Sequence, residues 1–433
     1  MALEKVDILC EIFKYSELDK IYPCIFVNKL WCGTAVPILW QAPFIPNCFP
    51  RPDEKAWKSL KHLAKTYLLC LTPSRYEVLK NEGLPLPSES SLMFDYLSHL
   101  KVLDFSFIYD VSDSWINDEN ELAHYKETLR ETLIENIIEK ANNIQFIHLD
   151  GNIQAPILNK DTKSLQDLRR LYIYSQINEE IFVKNISEFA KNLSRFAEKL
   201  EHITIREDAY REDQEDKENE ASALAELIKA PRSLQYLEII GYRNVSEIFK
   251  SLPNQLVNLS LKEIDFGHFD QDTIDSWSSF FELKKLQKLE FRKNGHFNQA
   301  AVPLIIKIIE SASLNLQHLE LSMVPLTLDN KAKIVNTIAQ NCENLVHLNI
   351  RSLSNSEIIS ILVSCQKLRV LKFYTENNFY HVNFIEIAEH LSPSKLEVLN
   401  VIKVGNFQVE DESKQILEKR GIRLNDFKFI CPY

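Results

Sequence analysis

Apolar residues recur along this chain in a short fixed phrase, one hydrophobic position followed by others three and five residues later. The phrase occurs at Leu100/Leu103/Phe105, Ile144/Ile147/Leu149, Leu168/Leu171/Ile173, Leu200/Ile203/Ile205, Leu234/Leu237/Ile239, Leu256/Leu259/Leu261, Leu286/Leu289/Phe291, Leu316/Leu319/Leu321, Leu345/Leu348/Ile350, Leu368/Leu371/Phe373 and Leu396/Leu399/Val401. From Ile144 to Leu396 it takes nine steps over 252 residues, a mean period of 28. The last two apolar positions lie two apart, so in a strand they share one face and the residue between them takes the other. Between phrases, apolar residues return at helical spacing: Leu129, Leu133, Ile137 and Ile138; Ile186, Phe189, Leu193 and Phe196; Leu304, Ile305, Ile308 and Ile309; Ile334, Ile338 and Ala339; Ile358, Ile361 and Leu362. The pattern predicts one strand and one helix per period, with each unit burying its apolar face against its neighbours.

Three residues before the phrase stands a small or compact side chain: Ala141, Ala197, Pro231, Ser313, Cys342, Cys365 and Pro393. A helix turning directly into a buried strand has little room there. The units Cys342-x-x-Leu345-x-x-Leu348-x-Ile350 and Cys365-x-x-Leu368-x-x-Leu371-x-Phe373 resemble the cysteine-containing leucine-rich repeats. The family's Asn or Cys after the strand is kept only at Asn152 and Asn294. The resemblance implies an α/β fold over residues 98–433, a leucine-rich-repeat solenoid with parallel strands on its concave face and helices on its convex face. A helical stretch at 413–420, with Phe427 and Phe429 after it, is expected to cap the last repeat.

The first 45 residues do not follow the repeat. Val6, Leu9, Ile12 and Phe13 recur at helical spacing, then Leu18, Ile21, Cys24, Ile25 and Val27, then Leu30, Trp31, Val36, Leu39 and Trp40. Pro23 and Pro37 are expected to interrupt the later clusters, leaving three or so short helices. The order Asp7-Ile8-Leu9-x-x-Ile12-Phe13, Cys24-x-x-Val27-Asn28-Lys29-x-Trp31-Cys32 and Ile38-Leu39-Trp40 resembles an F-box, above all the expanded fungal F-box proteins. Leucine-rich repeats often follow an F-box, so the two resemblances support each other. They imply a substrate-recognition subunit of an SCF-type, cullin-RING ubiquitin ligase. Val6, Leu9, Ile12, Phe13, Val27 and Trp31 would face the Skp-type adaptor, and the repeats would bind the target protein. The chain departs from the family at Glu4-Lys5, where most members carry a Leu-Pro that lies against the adaptor. The alternative is a leucine-rich-repeat interaction scaffold with no ligase association.

Residues 46–97 read as a connector. Pro43, Pro46, Pro50 and Pro52 mark a turn-rich start, and Trp57, Leu60, Leu63, Ala64, Tyr67 and Leu68 give a helical pattern. Proline makes such a segment stiffer than a Gly/Ser linker.

Charge narrows the partners. The formal net charge of −11 disfavours nucleic acid. Residues 207–220 hold eight acids and two bases and are expected to form an acidic surface loop. With 8 glycines in 433 residues, few glycine-rich phosphate loops can exist. The eight cysteines form no C-x-x-C pair and have no histidine cluster at metal-ligand spacing, so they read as packing residues in a reducing compartment. No metal or cofactor is expected. No run of about 20 apolar residues and no signal-peptide pattern is present, which suggests a cytoplasmic or nuclear protein without membrane contact. The P-loop, dinucleotide, zincin and nucleophile-elbow motifs are all absent. The chain is therefore expected to be a non-catalytic binding protein.

Strand alternation supplies the expected binding face. Residues two, four and six after each first apolar position should point away from the core, and among them Arg170, Tyr172, Tyr174, Arg206, Tyr236, Lys262, Arg292, Arg351 and Tyr374 are residue types that dominate binding energy or carry positive charge. Arg206, Lys262, Arg292 and Arg351 share the sixth position, which suggests an acidic or phosphorylated protein partner, with Glu238, Glu290 and Glu320 as competing ion-pair acceptors. His202, His318 and His347 lie on different repeats without a repeated carboxylate and read as surface histidines.

Overall fold

The computed structural model of the protein describes residues 2–43, 54–88, 91–116, 123–150, 163–175, 180–207, 215–242, 245–264, 266, 273, 282–292, 301–321, 326–375, 383–390, 397–403, 411–419 and 421–428. It divides into two compact units, Met1–Leu200 and Glu201–Tyr433. The boundaries expected at 45 and 97 both fall inside the first unit.

The first unit opens with helices α1 (Ala2–Lys14), α2 (Leu18–Ile21) and α3 (Lys29–Leu39), with a 3-10 turn at Tyr22–Phe26. Leu9 and Phe13 from α1 meet Ile21 and Ala35 in a small core, and Trp31, Ile38 and Leu39 pack against it. Asn28 starts α3 as its N-cap, its side chain accepting from Trp31 N at 3.0 Å. Pro37 does not interrupt this helix. It stands in the last turn of α3, two residues before its end at Leu39, so little helix lies beyond the hydrogen bond it removes.

Two connector helices follow, α4 (Glu54–Leu69) and α5 (Pro73–Asn81), with Pro73 at the first turn where its missing N–H is harmless. Then come β1 (Val102–Asp104), α6 (Phe105–Trp115), α7 (Lys126–Lys140), β2 (Phe146–Asp150), β3 (Arg170–Ser175) and α8 (Glu180–Ser194). The three strands are parallel, with Val102, Phe146 and Arg170 level. The connector is fastened through Asn136 of α7, which is buried. Its Oδ1 accepts from Thr72 N at 3.1 Å and its Nδ2 donates to the Cys70 carbonyl at 3.2 Å.

The second unit is a parallel stack in chain order: β4 (His202–Glu207), β5 (Tyr236–Ile240), β6 (Asn258–Lys262), β7 (Lys288–Arg292), β8 (His318–Leu321), β9 (His347–Arg351), β10 (Val370–Thr375), β11 (Val398–Lys403) and β12 (Arg423–Lys428). Helices α9 (Glu215–Lys229), α10 (Ser246–Lys250) and others at Val302–Ala312, Leu328–Asn341, Asn355–Ser364, Phe384–His390 and Asp411–Lys419 lie between strands in sequence. This is the expected α/β leucine-rich-repeat solenoid. The phrase residues Leu289, Phe291, Leu348 and Ile350 are fully buried, as are Ile305, Ile309, Ile334 and Ile338 from the helices. Each such side chain contributes on the order of 1.5–3 kcal/mol by leaving water.

Adjacent repeats are tied by a recurring backbone device. The Gln287 carbonyl accepts from the amides of both Gln317 and His318, at 2.8 and 2.9 Å, and the Gln317 carbonyl repeats this for Val346 and His347. Asn315 and Asn344, each just before a phrase, donate from Nδ2 to the carbonyls of Lys284 and Leu314, both at 2.7 Å. Of the compact residues ahead of the strands, Ala141, Ala197, Pro231, Cys342 and Cys365 are buried, and burial pushes both thiols up to about 12.

Two expectations need correction. The C-terminal segment adds a twelfth strand, pairing Arg423–Lys428 with β11. It escaped notice because the register sets Gly421 and Asp426 where the phrase would have apolar residues, leaving only Leu424. The acidic run 207–220 is also not all loop. Glu207 closes β4, α9 begins at Glu215, and Glu220 is buried on it. Residues 208–214 lie outside the described residues.

Candidate protein-interaction surfaces

Three surfaces carry the residues singled out by the sequence. The first is on the N-terminal helices. Helical spacing places Ile8 and Ile12 along one side of α1, away from the Leu9 and Phe13 side, and both are exposed, as is Tyr15 just past the helix end. Tyr22 and Phe26 of the 3-10 turn, with Val27 and Leu30, are exposed as well, Phe26 by 73% and Ile8 by 60%. Large apolar side chains exposed together in one small helical group make this a candidate interaction surface.

The expected partner-facing set is thereby corrected. Ile12 and Val27 are on the surface, and Val6 is half-buried. Leu9 and Phe13 are 8% and 3% exposed and belong to the inner core, where the Phe13 ring meets Trp31 edge-on at 5.7 Å. Leu9 and Phe13 lie four apart on α1, so they share the side that packs on Ile21 and Ala35. Ile8, Phe26 and Leu30 were missed, although the spacing of Ile8 to Ile12 was readable. Glu4 and Lys5 lie in α1, with side chains outside the described residues.

The second surface is the open face of the first unit's sheet. Arg170 is exposed there, while Tyr172 and Tyr174 are half-buried. His148 Nδ1 lies 2.9 Å from Asp104 Oδ2, and the His148 ring meets Tyr172 edge-on at 4.7 Å. Asp104 also caps α6, accepting from Phe107 N at 3.1 Å and from Ser106 Oγ at 2.8 Å. Burial resists its ionisation, but the His148 hydrogen bond and charge, with these two donors, hold its pKa below the ordinary value. Sequence reasoning missed Asp104, because it is far from His148 in the chain and only strand register brings them together.

The third surface is the open face of the second unit. Its central row holds Glu238, Ser260, Glu290, Glu320 and Asn349, level across β5 to β9. Lys262 pairs with Glu238. Arg292 Nη2 stands 3.1 Å from Glu290 Oε1 and also contacts Glu320, while Lys288 Nζ is 2.8 Å from Glu290 Oε1. Ser260 Oγ donates to Glu290 Oε2 at 3.0 Å, and Asn349 Nδ2 to Glu320 Oε1 at 3.3 Å. Burial raises the Glu290 pKa, and the Lys288 and Arg292 contacts overcome it, so the carboxyl lies below its usual range. Burial and the neighbouring Glu238 carboxylate push the half-buried Tyr236 phenol up to about 12.

The glutamate pairing that competes with partner binding in the sequence is present for two of the basic residues. Lys262 and Arg292 are engaged by glutamates on the same face, and Arg206 and Arg351 also have interactions of their own. Arg206 is exposed and Arg351 half-buried. Tyr374 lies on β10, with its side chain outside the described residues.

No family model matches the chain, and no curated protein matches it. Among solved structures it is similar to a chain of the yeast Rad7–Elc1 complex, at 17% identity over 76% of this chain and 90% of that one, with a TM-score of 0.39. A Bacteroides fragilis protein is similar at 14% identity over 68% of this chain and 76% of that one, with a TM-score of 0.35. The fold rests on the chain's own strands and helices. Among the described residues, no helix is long and apolar enough to cross a membrane.

Proposed function

We propose that this chain is the substrate-recognition subunit of an SCF-type ubiquitin ligase, with residues 1–45 as its F-box and the repeats as the receptor for a target protein. One observation carries the reading: Ile8, Ile12, Phe26, Val27 and Leu30 are exposed on a helical cluster whose inner residues Leu9, Phe13 and Trp31 follow the F-box order. In this reading Ile12 and Val27 face the Skp-type adaptor, and Leu9, Phe13 and Trp31 hold the helices that present them. The chain performs no bond chemistry. It raises the local concentration of its target beside a charged ubiquitin carrier, and proximity supplies the rate. Glu4-Lys5 in place of the family's Leu-Pro favours a second reading, a leucine-rich-repeat scaffold without ligase association. Binding of a purified adaptor to the full-length chain, compared with exposed-face variants, separates the two.

A further inference from the structure

On the open face of the second unit, a second group of side chains stands beside the glutamate row and meets it only through Lys288. Lys288, His318 and His347 are level on β7, β8 and β9. The two imidazoles have centroids 5.7 Å apart at an interplanar angle of 49°. Lys372 follows on β10, level with Asn349 and so diagonal to His347. It is half-buried and forms no ion pair among the described residues. Lys288 retains Glu290 at 2.8 Å, and Glu290 is shared with Arg292.

The local field agrees with this geometry. Burial first, then Lys372, with smaller effects from His318 and Lys288 and an opposing one from Glu320, press the His347 pKa down to about 4. Burial and Lys288 press His318 down as well, against Glu290. Arg292 on β7 and Arg351 on β9 are the other cations of these strands. Both lysines therefore act on the His347 ring, and at neutral pH the site offers two uncharged imidazoles between two ammonium groups.

We infer that Lys288, His318, His347 and Lys372 form an anion subsite that takes the phosphoryl group of a phosphorylated serine or threonine in a partner segment. Donors arriving from four neighbouring strands suit a tetrahedral dianion, which accepts from several directions, better than a planar carboxylate. A bound dianion also favours protonation of the imidazoles that the lysines otherwise oppose, so binding strengthens as pH falls toward about 6, where the phosphoryl group itself takes up a proton. The inference rests on reading this face as the partner-binding one and not on adaptor docking, so its test contains no ligase component.

The test follows the histidine ring resonances of the full-length protein at constant ionic strength during titration with inorganic phosphate, phosphoserine or glutamate. Phosphate and phosphoserine are expected to shift His318 and His347 saturably and to raise both pKa values. Lys372→Ala and Lys288→Ala are each expected to weaken the phosphate response about tenfold. An equal response to glutamate would overturn the assignment in favour of a carboxylate partner. Reproduction of the shifts by chloride, or an unweakened response in both folded variants, would overturn the subsite itself.

Discussion

The Gln41 carbonyl accepts hydrogen bonds from both Lys101 N, at 2.9 Å, and Val102 N, at 3.1 Å. The Lys101 carbonyl then does the same for Gln145 and Phe146, at 2.7 and 3.1 Å. Gln41 thus stands where a preceding repeat would stand, and the helical cluster ends as the cap of the first strand. Trp40 beside it packs on Tyr67 and Tyr96, with ring centroids 5.9 and 4.4 Å away.

Capping makes Trp40 a stability residue. Trp40→Ala is expected to destabilise the chain by about 2–3 kcal/mol, somewhat less than a fully buried Trp because it is half-buried. The measurement is the urea midpoint. Removing residues 1–45 should lower it further, since the Gln41 acceptor is lost too. An unchanged midpoint for Trp40→Ala would show that the cluster does not serve as a cap.

Strand exits impose a second constraint. Seven residues after the first apolar position the backbone is left-handed at Gly241, Glu263 and Ser352, with φ of 71°, 57° and 49°. At Gly241 an added Cβ would stand 2.0 Å from the Glu207 carbonyl oxygen, whereas at Gly421, also left-handed, it would meet nothing within 4 Å. Gly241→Ala is therefore expected to cost more than about 2 kcal/mol, and Gly421→Ala only about 1–2 kcal/mol for its backbone conformation. Comparable losses by thermal unfolding would contradict the close approach.

His347 sets a pH dependence. Its folded pKa lies below the unfolded value, so between about 4 and 6.5 the unfolded chain binds a proton that the folded chain does not. Stability contributed by this group is present above pH 6.5 and falls as the solution is acidified through that window. Glu290, with its lowered pKa, adds a loss at still lower pH. His347→Gln is expected to flatten the slope between pH 6.5 and 4, and an unaltered slope would contradict the burial and lysine field at this site.

Much of this fold is written in local spacing. Eleven phrases lead into eleven strands, because a strand with one buried face repeats its apolar positions two apart. The twelfth strand is silent because Gly421 and Asp426 occupy apolar places, and pairing with β11 sets its register instead. The interaction surfaces are less legible. Whether Leu9 or Ile8 faces outward depends on which neighbours close the small core, and the engagement of Lys262 and Arg292 by glutamates depends on strand register. The Asp104–His148 pair likewise joins residues 44 positions apart.

The ligase reading is tested most directly by the affinity of full-length protein for a purified Skp-type adaptor, measured beside Ile12→Asp and Val27→Asp. Both side chains are more than half exposed, so the variants should keep the parent's unfolding midpoint. The account predicts that the parent binds and that each variant loses at least tenfold, because an aspartate is forced into an apolar contact. A folded parent that does not bind, or variants that bind as the parent does, would contradict it and leave the repeat scaffold as the better description.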